Sequence, residues 1–209
     1  MPQYPADLAM IAIIDYGAGN LRSITNGFKR IGVEAAVVDE PSKLKAADAV
    51  VLPGVGAFGD AMDKLAGFKS SIVDSAESGM PFLGLCLGEQ VVFDASEESP
   101  GVEGLGLFRG ECKRFTGNLK VPHMGWNTIK KVRDTPLLEG IGDGEYFYFV
   151  HGYYVVPKDM GLAAAVTEYG VTFPSVISSK NVHATQFHPE KSGDAGLMLL
   201  SNFAKLTKR

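Results

Sequence analysis

The chain has 209 residues, of which 45% are hydrophobic and 21% are charged, a balance typical of a folded globular protein and not of a disordered one. Its formal net charge of −4 at pH 7 argues against a nucleic-acid-binding protein, which usually carries a basic excess. The two cysteines suit a reducing compartment, and the chain has no signal-peptide pattern and no membrane-length apolar run, so we expect a cytoplasmic protein.

Strand and helix patterns alternate through the first half of the chain. Residues 11–14 form a continuous apolar run, as expected for a strand covered on both faces. Asn20 is a suitable N-cap for a helix at residues 21–31, where apolar residues recur at helical spacing. The patterns that follow predict strands at 33–38 and 49–52, a helix at 60–78 and a strand at 82–85. This alternation predicts a parallel sheet with helices on both faces.

The strand at residues 82–85 ends abruptly at Cys86, and a helical pattern then runs towards Ala95. A tight strand-to-helix turn lifts a side chain off the end of a central strand, which is the arrangement of a nucleophile elbow. Gly84 and Gly88 relieve crowding where the strand and the helix meet. The helix N-terminus beside the thiol favours the thiolate. The alternative interpretation of Cys86 is a small buried hydrophobic residue.

The second half of the chain has a different pattern. Residues 105–156 contain short alternating or aromatic-rich runs separated by glycine turns, which predict antiparallel strands and hairpins. The sheet is expected to return at 182–187, and a helix at 197–206 to close the chain. We therefore predict one α/β domain at residues 10–209, with a mostly parallel central sheet and additional antiparallel strands in the second half. Residues 1–9 are predicted to form a flexible N-terminal lead.

A candidate base and carboxylate lie far downstream of Cys86. Pro189 forces His188 into an extended conformation, and residues two apart in an extended segment share a face. Glu190 is therefore expected to reach the same region as His188. A core histidine with satisfied hydrogen bonds is the alternative for His188 taken alone. Together Cys86, His188 and Glu190 predict a catalytic triad of nucleophile, base and orienting carboxylate.

The elbow at residues 81–90 and the His-Pro-Glu segment at 188–190 resemble those of the class I (triad) glutamine amidotransferases. Four further segments resemble the glutaminase subunits of imidazole glycerol phosphate synthases, namely residues 15–23 (DYGAGNLRS), 52–58 (LPGVGAF), 123–127 (HMGWN) and 149–154 (FVHGYY). The resemblance extends from Met10 onward and implies a flavodoxin-like class I glutamine amidotransferase fold. Two positions depart from it: Glu89 stands where the family often has an apolar residue, and Gly152 replaces a small hydroxyl residue.

The resemblance implies hydrolysis of glutamine to glutamate and ammonia by the Cys86 triad. The implied partner is the cyclase subunit of imidazole glycerol phosphate synthase, a (βα)₈ barrel, in a heterodimer that makes imidazole glycerol phosphate and AICAR in histidine biosynthesis. By similarity, the positions expected at or near that interface are Asn20, Arg22, Trp126 and Lys191. A packed aromatic is the alternative for Trp126. No metal, other cofactor, nucleic acid or membrane is expected.

Backbone donors and a substrate contact complete the predicted site. The N–H of Leu87 follows the nucleophile and is one oxyanion donor, and the loop of Gly54, Val55 and Gly56 offers a second. This loop is otherwise a tight strand-exit turn. Gln90 lies one helical turn beyond Cys86, so it is expected to contact the α-amino or carboxylate group of glutamine. His123 and His151 lie in the similar segments but outside the triad, and we interpret them as structural or interface residues.

Three other interpretations stay open. The chain could supply ammonia to a different synthase, such as one of anthranilate or pyridoxal phosphate synthesis, although residues 15–23 and 123–127 favour the histidine branch. It could be a catalytically silent scaffold, although all three triad residue types are present. It could be a papain-like or other thiol hydrolase, which Gln90 and the His-Pro-Glu segment disfavour.

Overall fold

The computed structural model describes residues 10–208, so the predicted flexible lead at 1–9 lies outside the described residues. The strands are β1 (Ile11–Ile14), β2 (Ala35–Val38), β3 (Ala49–Leu52), β4 (Phe82–Leu85), β5 (Ala95–Ser96), β6 (Gly110–Arg114), β7 (His123–Thr128), β8 (Lys130–Lys131), β9 (Tyr146–His151), β10 (Tyr153–Pro157), β11 (Ala163–Glu168), β12 (Thr172–Ser179) and β13 (Val182–Thr185). The α-helices are α1 (Leu21–Arg30), α2 (Phe58–Leu65), α3 (Lys69–Glu77), α4 (Leu87–Val91) and α5 (Gly193–Lys205). Within the described part of the chain, no helix is long and apolar enough to cross a membrane.

The central sheet has eight strands in the order β2-β1-β3-β4-β13-β12-β11-β8. The first five strands in this order, β2, β1, β3, β4 and β13, pair in parallel. The pairings β13–β12, β12–β11 and β11–β8 are antiparallel. The mostly parallel sheet with added antiparallel strands is therefore confirmed. Strand β4, which delivers Cys86, lies between β3 and β13, so the elbow stands at the carboxyl edge of the sheet centre, where ligands bind in such folds.

The central strands are apolar along their whole length because both faces of the sheet are covered. In β1, Ile11 and Ile13 belong to one buried cluster, together with residues of α1 and α5, while Ala12 and Ile14 belong to a second cluster with residues of α2 and α3. All four side chains are fully buried. Burial on both faces explains why this strand shows no alternation of apolar and polar residues.

Two smaller sheets stand beside the elbow. One has the strand order β10-β6-β5 and the other pairs β7 with β9 in antiparallel register from His123↔His151 to Thr128↔Tyr146. Side chains alternate along the β7–β9 ribbon: Phe147 and Phe149 point into the core, whereas Met124, Trp126 and Tyr146 are exposed. The predicted antiparallel strands of the second half are thus confirmed.

The prediction of one helix at residues 60–78 is wrong, because the structure has two helices there. Helix α2 ends at Leu65, α3 begins at Lys69, and the intervening turn contains Gly67. Glycine is a poor helix former, and the turn buries Phe68 against the second cluster. Burial of this aromatic side chain outweighs the continuous helical spacing seen in the sequence.

The helix after Cys86 is shorter than predicted, since α4 ends at Val91 and not near Ala95. Its last carbonyls are taken by another segment: Leu105 N–H donates to Val91 O at 2.7 Å, and Phe108 N–H donates to Val92 O at 3.1 Å. The helix therefore cannot propagate, because its acceptors are already bonded. These partners are distant in sequence, so the helical spacing alone could not reveal them.

The last helix begins earlier than predicted, at Gly193 instead of residue 197. Two glycines in its first turn weaken the sequence signal for a helix. Gly196 is required by packing, because a Cβ atom there would lie 1.9 Å from the carbonyl oxygen of Pro189. The first turn of α5 thereby packs tightly against the segment that carries His188 and Glu190.

Candidate active site

Cys86 occupies a strained turn between β4 and α4. Its backbone has φ 56° and ψ −104°, a conformation that non-glycine residues rarely adopt and that concentrates at functional sites. The Cys86 N–H donates to Thr185 O at 2.7 Å, and its carbonyl accepts from Glu89 N–H at 2.9 Å. These bonds from a neighbouring strand and from the following helix hold the strained residue in place.

The two glycines around Cys86 are required by close backbone contacts. A Cβ atom on Gly88 would lie 2.1 Å from Leu52 O, and one on Gly84 would lie 2.5 Å from Gly88 O. Any larger residue would push the helix off the sheet. The sequence pattern therefore reflects the approach of α4 to strands β3 and β4, as expected for a nucleophile elbow.

His188 and Glu190 lie together beside the elbow. His188 Nδ1 and Glu190 Oε1 are 2.9 Å apart, and their side chains are 4% and 1% exposed. Because the carboxylate accepts a hydrogen bond from Nδ1–H, it fixes the orientation of the ring. The other ring nitrogen, Nε2, is buried, makes no hydrogen bond of normal geometry and interacts with Cys86. Such loose contacts are common in sites without substrate.

The protonation of His188 follows from its two neighbours. Burial by itself would lower its pKa, but the hydrogen bond to Glu190 and the proximity of Cys86 outweigh burial and raise the pKa to about 10. His188 is therefore held in its cationic form near pH 7. This state suits a residue that stabilises a thiolate and then donates a proton to a leaving group.

The backbone of His188 is fixed by its surroundings. Its N–H donates to Tyr148 O at 2.9 Å, and its carbonyl accepts from the Ser192 hydroxyl at 2.6 Å. The same hydroxyl oxygen accepts from Tyr148 N–H at 3.0 Å. Strand β9 and the start of α5 thus clamp the histidine from both sides.

A cleft of about 230 Å³ opens beside the thiol. Six of the residues predicted for catalysis or substrate binding line it, namely Val55, Gly56, Cys86, Leu87, Gln90 and His188. Gly54 lies behind the cleft, where a Cβ atom would come within 2.6 Å of the Leu87 side chain. The structure therefore brings the loop and the elbow into contact. A larger cavity of about 470 Å³ near Lys131 and Glu139 contains none of the predicted site residues.

The loop after β3 is held at its base and open at its tip. The Tyr16 hydroxyl donates to Pro53 O at 3.0 Å, while Val55 and Gly56 are exposed towards the cleft. Gly56 has φ +101°, a conformation that favours glycine. A peptide next to such a residue reorients at little conformational cost.

The amide orientation of Gln90 is determined by two acceptors. Its Nε2 donates to Tyr153 O at 3.2 Å and to Gln186 Oε1 at 3.4 Å. Since both partners only accept, the nitrogen must face them and the amide oxygen must face elsewhere. Gln186 Nε2 in turn lies 3.9 Å from Cys86 Sγ. Gln90 is thus tied to the nucleophile through a buried amide.

One acidic residue of the cleft was missed by the sequence analysis. Glu98 lines the cleft, and its Oε2 accepts from Phe58 N–H at 2.7 Å at the start of α2. Glu98 lies in a loop 12 positions beyond Cys86, and no local pattern marks it. An anionic group is the complement that an α-ammonium group requires, so Glu98 is a candidate substrate contact.

The residues predicted for an interface lie on the β7–β9 ribbon, directly after Glu190, and at the start of α1. Trp126 is 55% exposed on the β7–β9 ribbon, and its ring packs edge-on against Tyr148 at 6.1 Å. The ammonium group of Lys191 lies 5.8 Å from the centre of the Tyr148 ring.

Asn20 caps α1 by accepting from Ser23 N–H, and α1 contacts the segment after His188. Arg22 is exposed on the first turn of α1.

Residues 10–208 contain no group of three or more His, Cys, Asp or Glu side chains placed to hold a metal ion.

The chain is similar to known proteins in both sequence and fold. The family model for glutamine amidotransferase class-I matches residues 12–206. The imidazole glycerol phosphate synthase subunit HisH of Methanothermobacter thermautotrophicus is 56% identical over 199 residues, which cover 95% of this chain and 100% of that protein. The protein of the same name from Halobacterium salinarum is 49% identical, with 93% and 92% covered. The structure of PurLQS from Thermotoga maritima has a similar fold, with a TM-score of 0.75, 19% identity and coverage of 95% and 98%.

Proposed function

This chain belongs to the class-I glutamine amidotransferase family and, within it, to the imidazole glycerol phosphate synthase HisH subunits, and on that premise we propose that Cys86, His188 and Glu190 hydrolyse glutamine to glutamate and ammonia. We further propose that the ammonia passes to a (βα)₈ cyclase subunit in a heterodimer, which makes imidazole glycerol phosphate and AICAR. The observation that carries the catalytic part is the His188–Glu190 pair at 2.9 Å beside a strained cysteine elbow. A cytoplasmic location stays a prediction.

The proposed reaction begins with the thiol proton of Cys86 on His188 Nε2, and the resulting Cys86 thiolate attacks the side-chain amide carbon of glutamine. The C–N bond of the resulting tetrahedral intermediate breaks as His188, already protonated, donates its Nε2 proton to the departing nitrogen, so ammonia leaves. Neutral His188 then takes a proton from water, which cleaves the thioester and releases glutamate. Glu190 stabilises the cationic histidine in the first step and keeps Nε2 directed at Cys86 throughout.

Two backbone N–H groups are proposed to stabilise the oxyanion. The Leu87 N–H begins α4 and follows the nucleophile directly, and the loop at Val55 and Gly56 faces the same cleft. Because Gly56 favours peptide reorientation, we propose that the loop rests with its donor turned away until the partner subunit docks. Loss of one such donor costs about 10²- to 10³-fold in rate, enough to keep the isolated chain nearly silent.

The glutamine backbone is proposed to bind between Gln90 and Glu98. Changing Glu98 to glutamine keeps an oxygen to accept from Phe58 N–H but removes the negative charge. We expect KM for glutamine to rise roughly 10- to 100-fold, because one charge-assisted hydrogen bond is lost, with little change in kcat. Steady-state kinetics of the complex checks this, with Glu103→Gln, an exposed acid outside the cleft, as the control. An unchanged KM would remove Glu98 from the substrate site.

The outer face of the β7–β9 ribbon is proposed to dock the cyclase. We define this face by Met124, Trp126, Tyr146 and Tyr148, and Lys191 lies against it. Free ammonia is largely protonated near pH 7 and then cannot act as a nucleophile. The Cys86 site that releases ammonia must therefore lie against the active site of the cyclase. The Cys86 sulfur is only 3.7 Å from Val150 O in the β7–β9 ribbon, so this ribbon lies next to the point of release.

Substitution of Trp126 and Lys191 together by alanine tests this surface. We expect Kd for the cyclase to rise at least about 30-fold, since a central tryptophan typically contributes 2 kcal/mol or more to an interface. Titration calorimetry with the purified cyclase measures the change. Met160→Ala, which alters an exposed apolar residue outside the ribbon, serves as the control. Equal Kd values for the double variant and the wild type would place the interface elsewhere.

The proposed function as a whole is tested by glutamate release from glutamine, first by the chain alone and then with the cognate cyclase and its nucleotide ligand. We expect low release alone and at least about 100-fold stimulation in the ligand-bound complex, matching recovery of one oxyanion donor. Full activity without the cyclase would agree with the proposed triad, but it would exclude a loop whose donor is turned away in the isolated chain. Absence of glutamate release under both conditions would favour a different synthase partner or a silent scaffold.

A further inference from the structure

Two buried histidines outside the triad face each other across the β7–β9 ribbon. His123 and His151 are opposite each other in the strand register, on its inner face, and they are 4% and 5% exposed. The ring of His123 stacks on Tyr169 with 4.0 Å between ring centres and on Phe149 with 4.9 Å. A buried polar pair among aromatic rings is costly unless every nitrogen is hydrogen-bonded.

The hydrogen bonds of this pair admit a single arrangement of protons. His151 Nδ1 lies 2.7 Å from Tyr153 O, which only accepts, so Nδ1 carries the proton. In a neutral ring His151 Nε2 then accepts from His123 Nδ1 at 3.0 Å, and His123 Nε2 accepts from Asn127 Nδ2 at 3.2 Å. Burial lowers the pKa of His123 to about 4 and that of His151 to about 3, which agrees with two neutral rings.

This chain of bonds ends in the substrate cleft. Tyr153 O accepts from His151 Nδ1 and also from Gln90 Nε2. His151, Tyr153 and Gln90 line the cleft, whereas His123 does not. Because Gln90 Nε2 bonds this carbonyl, the position of the carbonyl decides which end of the Gln90 amide faces the cleft.

We propose that His123 and His151 are positioning residues for glutamine binding: they fix the Tyr153 carbonyl and, through it, the amide of Gln90 in the orientation that receives the substrate. This inference rests on the proposed function, since glutamine is the ligand. His151 acts on Gln90 through the Tyr153 carbonyl that both side chains bond. His123 acts only through its hydrogen bond to His151. A contact made equally by bound substrate and transition state alters KM and leaves kcat unchanged.

A matched pair of substitutions at His123 separates positioning from packing. Asparagine places an amide nitrogen near the position of Nδ1 and retains the bond to His151, whereas glutamine places its amide near the position of Nε2 and loses that bond. In the ligand-bound complex we expect His123→Gln to raise KM for glutamine about tenfold, the effect of one lost hydrogen bond. We expect His123→Asn to stay within twofold of the wild type, with kcat and ammonium-dependent synthesis preserved in both variants.

Equal KM values for the two variants, or a loss of kcat without a change in KM, would overturn the inference. A second measurement is independent of activity: nitrogen NMR of ¹⁵N-histidine-labelled protein should show both rings neutral, with the proton on Nδ1, at pH 7. An imidazolium signal from either ring would overturn the proton arrangement and the inference with it. If the proposed function itself is wrong, the wild-type complex will release no glutamate. That result differs from failure of this inference, in which the wild-type complex is active.

Discussion

Replacement of Cys86 by alanine is expected to abolish glutamine-dependent synthesis by the complex, while synthesis from added ammonium continues at the wild-type rate. The reason is that the sulfur is the only atom proposed to form a covalent bond with the substrate, so its loss removes the chemical step and not merely a contact. We expect the decrease in glutamate release to be at least about 10⁴-fold, as when other triad nucleophiles are removed. Paired assays with glutamine and with ammonium measure both activities in one preparation.

Cys112 provides the internal control for this experiment. Its thiol is fully buried and lies 3.6 Å from Gln90 O. Burial raises the pKa of this thiol well above its usual range. We therefore expect a glutamine-derived electrophile to label Cys86 alone, with free glutamine protecting it, and Cys112→Ala to keep its activity. Glutamine-dependent synthesis by Cys86→Ala would exclude the proposed nucleophile.

The features predicted from sequence are those with a local cause. The parallel sheet follows from alternating apolar strands and helices, and the elbow follows from a cysteine between two glycines. The contact that requires Gly84 lies within the turn, whereas the one that requires Gly88 is with Leu52 O on β3. His188 and Glu190 meet as predicted, but for a different local reason: His188 is extended, whereas Pro189–Lys191 form a turn of 3₁₀ helix that returns Glu190 to the imidazole.

The features that the sequence analysis missed depend on contacts between distant segments. Helix α4 stops because Leu105 and Phe108 take its acceptors, and Glu98 reaches the cleft because it caps α2, 40 residues earlier in the chain. The interpretation of His123 and His151 as structural or interface residues captured neither their hydrogen bond nor their link to Gln90. Hydrogen bonds of this kind leave no periodic signal, so only the folded geometry reveals them.

Glu89 is the position where the chain departs most clearly from ordinary packing. It lies on the elbow helix, is fully buried, and neither carboxylate oxygen has a hydrogen-bond partner among residues 10–208. Burial, with a smaller contribution from the nearby Cys86, raises its pKa well above the usual range. Folded Glu89 therefore keeps its proton to a higher pH than Glu89 does in the unfolded chain.

Because the pKa of Glu89 is higher in the folded protein, folding takes up a proton between the two pKa values. The free energy of unfolding therefore depends on pH, with a sign that follows from this proton uptake. The unfolded glutamate releases its proton above about pH 4.3, while the folded one retains it, so stability falls as pH rises above that value. Between the unfolded and the folded pKa of Glu89 the loss grows by about 1.4 kcal/mol per pH unit. His188, whose folded pKa is also raised, adds a slope of the same sign above its unfolded pKa of about 6.5.

Replacing Glu89 with methionine is therefore expected to stabilise the protein, and to do so more at pH 8 than at pH 5. Denaturant unfolding of both proteins at pH 5, 6, 7 and 8 measures the difference, in which the contribution of His188 cancels because both proteins contain it. Glu89→Gln should abolish the same pH slope with a smaller gain, since its buried amide still lacks partners. Glu77→Gln, at an exposed position of α3, should change stability by less than about 0.5 kcal/mol at every pH. A pH-independent difference between the wild type and Glu89→Met would show that Glu89 finds a partner for its charge in the folded state.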